Sequence, residues 1–170
     1  MLYIFPTELE ARRFREISPD SRVVISGVGM AATAAAVARL VQCGDIAASD
    51  VVVMAGIAGS YNDAVAVGSV VEVVRERVVE LPERFRQEYA VEQYTGLRGV
   101  VSNTVCGCGA EGRGAEVENM EGAALFALAE VYGFRAVEIR AISNRVGESF
   151  ECWHLEEALE ALAEVLQTLK

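Results

Sequence analysis

The chain is poor in the residues that most often build metal and redox centres. Histidine occurs once, at His154, which rules out a His-rich metal site and leaves any serine-type triad dependent on a single imidazole. The four cysteines, Cys43, Cys106, Cys108 and Cys152, match no common zinc or redox spacing and are expected as reduced thiols. Three prolines leave little room for a disordered linker, and no internal repeat or low-complexity tract breaks the chain. Basic residues are outnumbered, 15 Lys plus Arg against 25 Asp plus Glu, for a formal charge of −10. That balance repels phosphate backbones and acidic membrane surfaces, so neither nucleic acid nor a membrane is an expected partner. The amino-terminal Met-Leu-Tyr-Ile-Phe-Pro shows no basic segment followed by a long apolar run, so no signal peptide or membrane span is expected and a cytoplasmic location is.

What the chain does have is a globular balance, 52% hydrophobic and 24% charged residues over 170 positions, enough for one domain spanning 1–170. Strand and helix signals alternate along it. Leu2 to Phe5 is a short apolar run stopped by Pro6. Thr7, with Glu10 three residues on, has the capping-box pattern that opens a helix over Glu8 to Ile17. Arg22 to Ser26 reads as a second strand, and Gly27-Val28-Gly29 leads into an Ala-rich helix from Met30 to Val41. Val51 to Met54 has the unbroken apolar character of a strand buried on both faces, with Gly56 to Ser60 expected as a glycine-rich loop at its end.

The pattern continues with a valine-rich strand or hairpin over Gly68 to Val79, a short helix or loop over Glu83 to Tyr94, and a strand at Gly99 to Ser102. Four glycines between Gly107 and Gly114 suggest a mobile surface loop, able to cover a site. Val117 to Tyr132 is expected as a helix stopped by Gly133, and Ala136 to Ile142 as a strand. In the last segment Leu155, Leu159, Leu162, Leu166 and Leu169 share one helical face with the glutamates outside it. The alternation predicts an α/β fold, a three-layer α/β/α arrangement with a central, mostly parallel or mixed sheet and ligands near the carboxyl ends of its strands.

Five segments say more when taken in order: Phe5-Pro6-Thr7-Glu8-Leu9-Glu10, Ser26-Gly27-Val28-Gly29-Met30, Met54-Ala55-Gly56-Ile57-Ala58-Gly59-Ser60, Glu118-Asn119-Met120-Glu121-Gly122-Ala123-Ala124 and Ile139-Arg140-Ala141-Ile142-Ser143-Asn144. Together they resemble the successive signatures of the purine nucleoside phosphorylase and nucleosidase superfamily. The likeness is greatest to futalosine hydrolases and methylthioadenosine nucleosidases. The resemblance implies cleavage of a purine N-glycosidic bond, a small-molecule nucleoside as partner, no metal or organic cofactor, and a homo-oligomer such as a dimer.

Such a cleavage needs an oxocarbenium-like sugar stabilised, a water delivered to the anomeric carbon, and a hydrogen bond to the departing purine. The resemblance assigns ribose binding to Glu121, with Met120 packed on the sugar and Asn119 beside them. It assigns water activation to Glu10, although Glu10 also stands where a carboxylate can cap its own helix at Thr7, and the residues alone leave those two roles open. Asn144 falls where adenine-directed enzymes of the superfamily carry an aspartate, and an amide there matches N7 and O6 of a 6-oxopurine. Gly27 and Gly29 are candidates for backbone contacts to the ribose or an anion. Ala58 and Gly59 are candidates for the floor of the base pocket.

Three functions follow as expectations: a nucleosidase acting on a futalosine-like nucleoside, a phosphorylase, or a nucleoside-binding or interaction domain without turnover. The carboxylates of Pro6 to Glu10 disfavour phosphate in the first loop. Arg12, Arg13 and Arg140 are the residues that could still contact it. The stretch from Glu80 to Asn103 is shorter than in most members, which leaves Phe85, Tyr89 or Tyr94 to supply a stacking aromatic and motivates the third reading. Two carboxylates around one pocket with Asn144 opposite would favour an enzyme, and a Glu10 that only caps its helix would favour binding.

Overall fold

A computed structural model describes residues 1–169. The strands are β1 (Leu2–Phe5), β2 (Val23–Ile25), β3 (Val51–Ser60), β4 (Val70–Val78), β5 (Gln87–Ala90), β6 (Arg98–Thr104), β7 (Val117–Asn119) and β8 (Arg135–Arg145), and the helices are α1 (Glu8–Ile17), α2 (Met30–Gln42), α3 (Gly122–Tyr132) and α4 (Leu155–Thr168). One mixed sheet contains all eight strands. β3 and β8 run parallel over their full length at its centre, with β1 and β2 added in parallel on the other edge of β3. β8 pairs antiparallel with β4, β4 pairs with β6, β6 with β7, and β7 returns antiparallel to the last two residues of β3. The pairing therefore closes on itself, which gives the sheet an interior.

Strand alternation sorts the core into two layers. Leu2, Ile4, Val52 and Met54 face α2 and α3, meeting Val37, Leu40, Leu125 and Phe126. Tyr3, Phe5, Val53 and Ala55 face α1 and α4, meeting Ala11, Phe14, Leu159, Leu162 and Leu166. Each fully buried leucine or phenylalanine contributes about 1.5–3 kcal/mol, so the predicted leucine face of α4 amounts to a substantial part of one layer. The three-layer expectation holds, with the sheet mixed. Among the described residues no helix is long and apolar enough to cross a membrane.

Three segments differ from their sequence expectation. Gly56 to Ser60 continues β3 instead of forming a loop, because its backbone stays paired with β8 as far as Arg145, with a one-residue shift between Ala58 and Gly59. Val117 to Tyr132 is not one helix. The Asn119 side-chain oxygen accepts the backbone N–H groups of Glu121 and Gly122, both at 2.8 Å, and this ends β7 and starts α3. Glu83 to Tyr94 divides into a 3-10 turn at Glu83–Phe85 and the edge strand β5. Gly133 does stop α3, with φ +81 in the left-handed region. The four cysteines are free and exposed.

Candidate active site

The two partners on one edge of β3 do not meet. β1 covers that edge as far as Met54, β7 takes over at Gly59, and between them Ile57 has no strand beside it. Its backbone groups are satisfied by side chains instead. The Ile57 N–H donates to Glu10 Oε1 at 3.1 Å, and its carbonyl accepts from Arg140 Nη1 at 3.3 Å. A change of neighbour along a strand is where open α/β sheets form ligand crevices. A cavity of about 280 Å³ opens here, near the lower end of the size range for small-molecule sites.

Glu10 is presented by the first turn of α1. Thr7 caps that helix, its hydroxyl oxygen accepting the Glu10 N–H at 3.2 Å and its proton going to Glu10 Oε2 at 2.6 Å. The carboxylate does not return to the Thr7 backbone. It crosses to β3 and borders the cavity. Burial raises its pKa above the usual carboxylate range, against the lowering effects of the Thr7 hydroxyl, the Ile57 N–H and the Arg140 charge.

Glu121 reaches the same place from the start of α3. Its Oε1 accepts the Gly29 N–H at 2.9 Å and its Oε2 receives Arg140 Nη2 at 3.2 Å. Gly29, at φ +91, turns its N–H toward this carboxylate, so that donor is engaged inside the protein. Gly27 and Gly29 themselves flank Val28, which is the part of the turn that borders the cavity. Met120, Ala58, Gly59 and Asn144 border it as well.

Arg140 ties these groups together from behind. Fully buried on β8, it donates from Nε to Glu138 at 2.8 Å and from Nη2 to Asn119 Oδ1 at 2.9 Å, besides its bonds to Glu121 and Ile57. Burial disfavours its charge, but the Glu138 and Glu121 carboxylates outweigh that and hold it cationic. No phosphate contact is open to a guanidinium committed in this way. Arg12 and Arg13 form exposed ion pairs with Glu156 and Glu160, so no Lys, Arg or His borders the cavity among the described residues. Asn119 is committed too, its amide donating to Glu76 and to Ser102 while its oxygen takes the two α3 N–H groups and Arg140.

The closed sheet thus holds Glu76, Glu121 and Glu138 around one guanidinium, with Glu10 alongside. Three ionised carboxylates in so dry a space would not be sustained by one cation. Glu76 is pushed well above the usual range by burial and by the adjacent Glu138, and Thr104 donates to it at 2.6 Å. Burial raises Glu138 too, against the lowering effect of Arg140, and its Oε2 has no hydrogen-bond partner among the described residues. The packing is close enough to demand glycine at two positions. A Cβ on Gly122 would fall 2.5 Å from Glu76 Oε1 and 2.6 Å from Glu138 Oε1. A Cβ on Gly56 would fall 2.7 Å from Arg140 Nη1 and 2.8 Å from Glu10 Oε1. Gly56→Ala is therefore expected to destabilise the fold by about 1–3 kcal/mol and to displace Glu10. A thermal melt of the purified variant checks it, and a midpoint equal to the wild type's would refute the close approach of Arg140 and Glu10 to this strand.

Asn144 lies at the end of β8. Its Oδ1 accepts the Ser143 hydroxyl at 2.8 Å and its Nδ2 donates to the Arg145 carbonyl at 2.8 Å. The carbonyl accepts only, so the nitrogen must lie on that side, and one N–H is left for the cavity.

The aromatic wall is not where the sequence suggested. Phe85 is exposed beneath Arg84, Tyr94 lies under Arg135, and Tyr89 is on the edge strand, all away from the cavity. Phe150 and Trp153, with ring centroids 5.1 Å apart, border it instead. They sit in the turn between β8 and α4, where the lone tryptophan of the chain was the available signal. Glu118 also borders the cavity, and although it stood within a recognised segment no role was read for it.

Residues 110–170 match the family model of the phosphorylase superfamily. The carboxyl-terminal third carries that family's pattern. Futalosine hydrolase of Thermus thermophilus is 44% identical over 57 residues, 33% of this chain and 25% of that protein, so the match spans a quarter of the relative's length. In fold the likeness covers the whole molecule. A 5'-methylthioadenosine/S-adenosylhomocysteine nucleosidase from Helicobacter pylori superposes with TM-score 0.83 at 12% identity, over 98% of this chain and 95% of the other. A futalosine hydrolase mutant from the same organism gives 0.82 at 13% identity, over 97% and 95%. The nucleosidase of Colwellia psychrerythraea in complex with adenine gives 0.76 at 20% identity, over 95% and 88%. Two of the five segments, Glu118 to Ala124 and Ile139 to Asn144, lie within the family match, and the likeness of fold extends over nearly the whole chain.

Proposed function

We propose that the chain is a nucleosidase that hydrolyses the N-glycosidic bond of a purine nucleoside, with a futalosine-like 6-oxopurine nucleoside as substrate. One observation carries this reading: Glu10 and Glu121, from different helices, border one cavity, Glu121 bonded to Arg140 and Glu10 to the N–H of Ile57, whose carbonyl Arg140 also holds. Glu121 accepts the ribose hydroxyls and places negative charge by the developing cation, with Met120 against the sugar. Glu10 takes a proton from the attacking water as that water forms its bond to the anomeric carbon. Asn144 donates its free N–H to the purine as the C–N bond breaks and the electron pair leaves with the base. Ala58 and Gly59 form the floor under the base, Gly27 and Gly29 shape the turn that carries Val28, and Asn119 holds Glu121 in place.

Water as nucleophile is supported by the absence of any cationic side chain among the described cavity residues, since phosphate would meet only carboxylates there. Turnover, as against binding alone, is supported by the Glu10 carboxylate bridging from the Thr7 cap to the Ile57 N–H of β3 at the edge of the cavity. The names of the similar proteins point the same way, toward nucleosidases and a futalosine hydrolase. A cytoplasmic homo-oligomer, such as a dimer, belongs to this reading, and the exposed Leu9, Val28 and Phe150 around the cavity are apolar surface suited to a second copy.

The test is chromatographic: purine nucleosides are incubated with the chain, with and without phosphate, and released base is quantified. Futalosine and inosine are expected to lose their base at a rate that phosphate leaves unchanged. Release that requires phosphate would make the protein a phosphorylase, and release from no nucleoside would overturn the reading.

A further inference from the structure

Gly59 is the point where three strands lie side by side. On one edge of β3 it pairs with Glu118 of antiparallel β7, and on the other with Asn144 of parallel β8. Residues directly opposite in an antiparallel pair direct their side chains to one face. On the β8 side, Asn144 Nδ2 stands 3.2 Å from the position a Gly59 Cβ would take. Glu118 and Asn144 therefore rise on the same face of the sheet on either side of Gly59, and the Val146 side chain, its Cγ2 3.1 Å from the same Cβ position, packs beside Asn144. Strand spacing sets their backbones about 9.5 Å apart. All three residues border the cavity. Ile57, where Glu10 is anchored, lies two residues earlier on β3, about 6.6 Å away, so this slot adjoins the carboxylate pair by one step of the strand.

The slot's two walls differ in hydrogen-bonding character. Glu118 is buried, and its Oε2 accepts the Tyr61 hydroxyl at 2.8 Å while its Oε1 accepts the Gly109 N–H at 2.8 Å. Each oxygen retains a lone pair, and a carboxylate only accepts. Asn144 retains one N–H and offers a donor. A flat heterocycle in the cavity between Glu118 and Asn144 thus meets an acceptor on one edge and a donor on the other. A 6-oxopurine fits that pair of walls, having an N1–H donor on one side and the O6 and N7 acceptors on the other. Adenine presents N1 as an acceptor, which the carboxylate repels.

Resting on the reading of the cavity as a nucleoside site, we propose that Glu118 is a specificity-determining residue that accepts the N1–H of a 6-oxopurine base across the Gly59 floor. Its position is fixed by Tyr61, itself held by Asn103 at 3.3 Å, and by the Gly109 N–H of the loop between β6 and β7. The mechanism above makes no use of Glu118.

Calorimetric titration of the full chain with free bases tests this without requiring turnover. The wild type is expected to bind hypoxanthine about 10- to 100-fold more tightly than 1-methylhypoxanthine, in which a methyl group replaces the N1 proton, and than adenine. In Glu118→Gln, whose amide can turn an N–H toward the base, that preference is expected to fall to within about 3-fold. Equal affinity of the wild type for hypoxanthine and its 1-methyl derivative would overturn the proposal, and so would a preference that survives in Glu118→Gln or a failure to bind hypoxanthine at all. If the preference behaves as expected while no nucleoside is cleaved, the hydrolase reading fails and the role of Glu118 stands. If nucleosides are cleaved without the preference, the reverse holds.

Discussion

Glu10→Gln is expected to lower kcat by about 10²- to 10⁴-fold, the usual loss when a general base is removed, with little change in KM. Glutamine keeps the volume of the side chain and an oxygen for the Ile57 N–H, and the Thr7 cap acts through the Glu10 backbone, so the helix start survives. What disappears is the group proposed to take a proton from water. The variant should melt no lower than the wild type, because a buried carboxylate is replaced by a neutral amide. Base release at pH 7 and a thermal melt of the same preparation measure both; a rate within 3-fold of the wild type would remove Glu10 from the chemistry.

The pH dependence follows from the same burial. Glu10 must be ionised to accept a proton, and its pKa is raised, so the acidic limb of the wild-type rate should have its midpoint above the ordinary value of 4.5. Stability runs the other way. A folded-state pKa above the unfolded value contributes stability that is complete below the unfolded pKa and is lost as pH rises through the folded one. Glu10, Glu76 and Glu138 are all raised, so the fold should tolerate mild acid better than the reaction does. Activity and stability are thus opposed at one residue, as expected where a charge is buried for use.

Arg140→Leu carries the largest expected effect on stability. The guanidinium is the one cation among Glu121, Glu138 and Glu10, and removing a partner from a buried ionic cluster costs about 3–5 kcal/mol. Against a total of about 5–15 kcal/mol that is a large share, equivalent to a fall in Tm of roughly 6–20 °C. Arg140→Lys should recover only part, since an ammonium lacks the planar fork that meets Glu138, Asn119 and Ile57 together. In a Glu138→Gln background the cost of Arg140→Leu should shrink, because fewer carboxylates are left unpaired. Additive losses in the double variant would show that the arginine acts by packing and not by neutralising charge.

Much of this architecture could be read along the chain. Thr7 and Glu10 marked the start of α1 to the residue, Gly133 marked the end of α3, and the leucine spacing of α4 identified its buried face. These signals are local, each depending on groups within a few positions of one another. The candidate residues for the sugar and the base were also legible, because they occur in short runs with a family likeness.

What could not be read was how those runs meet. Gly56 to Ser60 looked like a loop because glycine breaks strands on average, yet Gly56 and Gly59 are glycines so that Arg140, Glu10 and Asn144 can approach β3. Asn119 borders the cavity as the short run suggested, but its run did not reveal that its amide also joins the strand end to Glu76, Ser102 and Arg140. The aromatics at the cavity came from Phe150 and Trp153 rather than from the shortened region, because strand order and not sequence distance decides which turn overhangs a site.

The sequence by itself determined the layers, the start of α1, the end of α3 and the chemical types available to a site. Tertiary structure alone decided that Glu10 reaches β3 from its cap, that Glu118 and Asn144 flank Gly59, and that one arginine serves several acids. The physical reason is range: capping and amphipathic periodicity act over one or two turns of chain, whereas burial of charge and strand register depend on residues brought together from opposite ends of it.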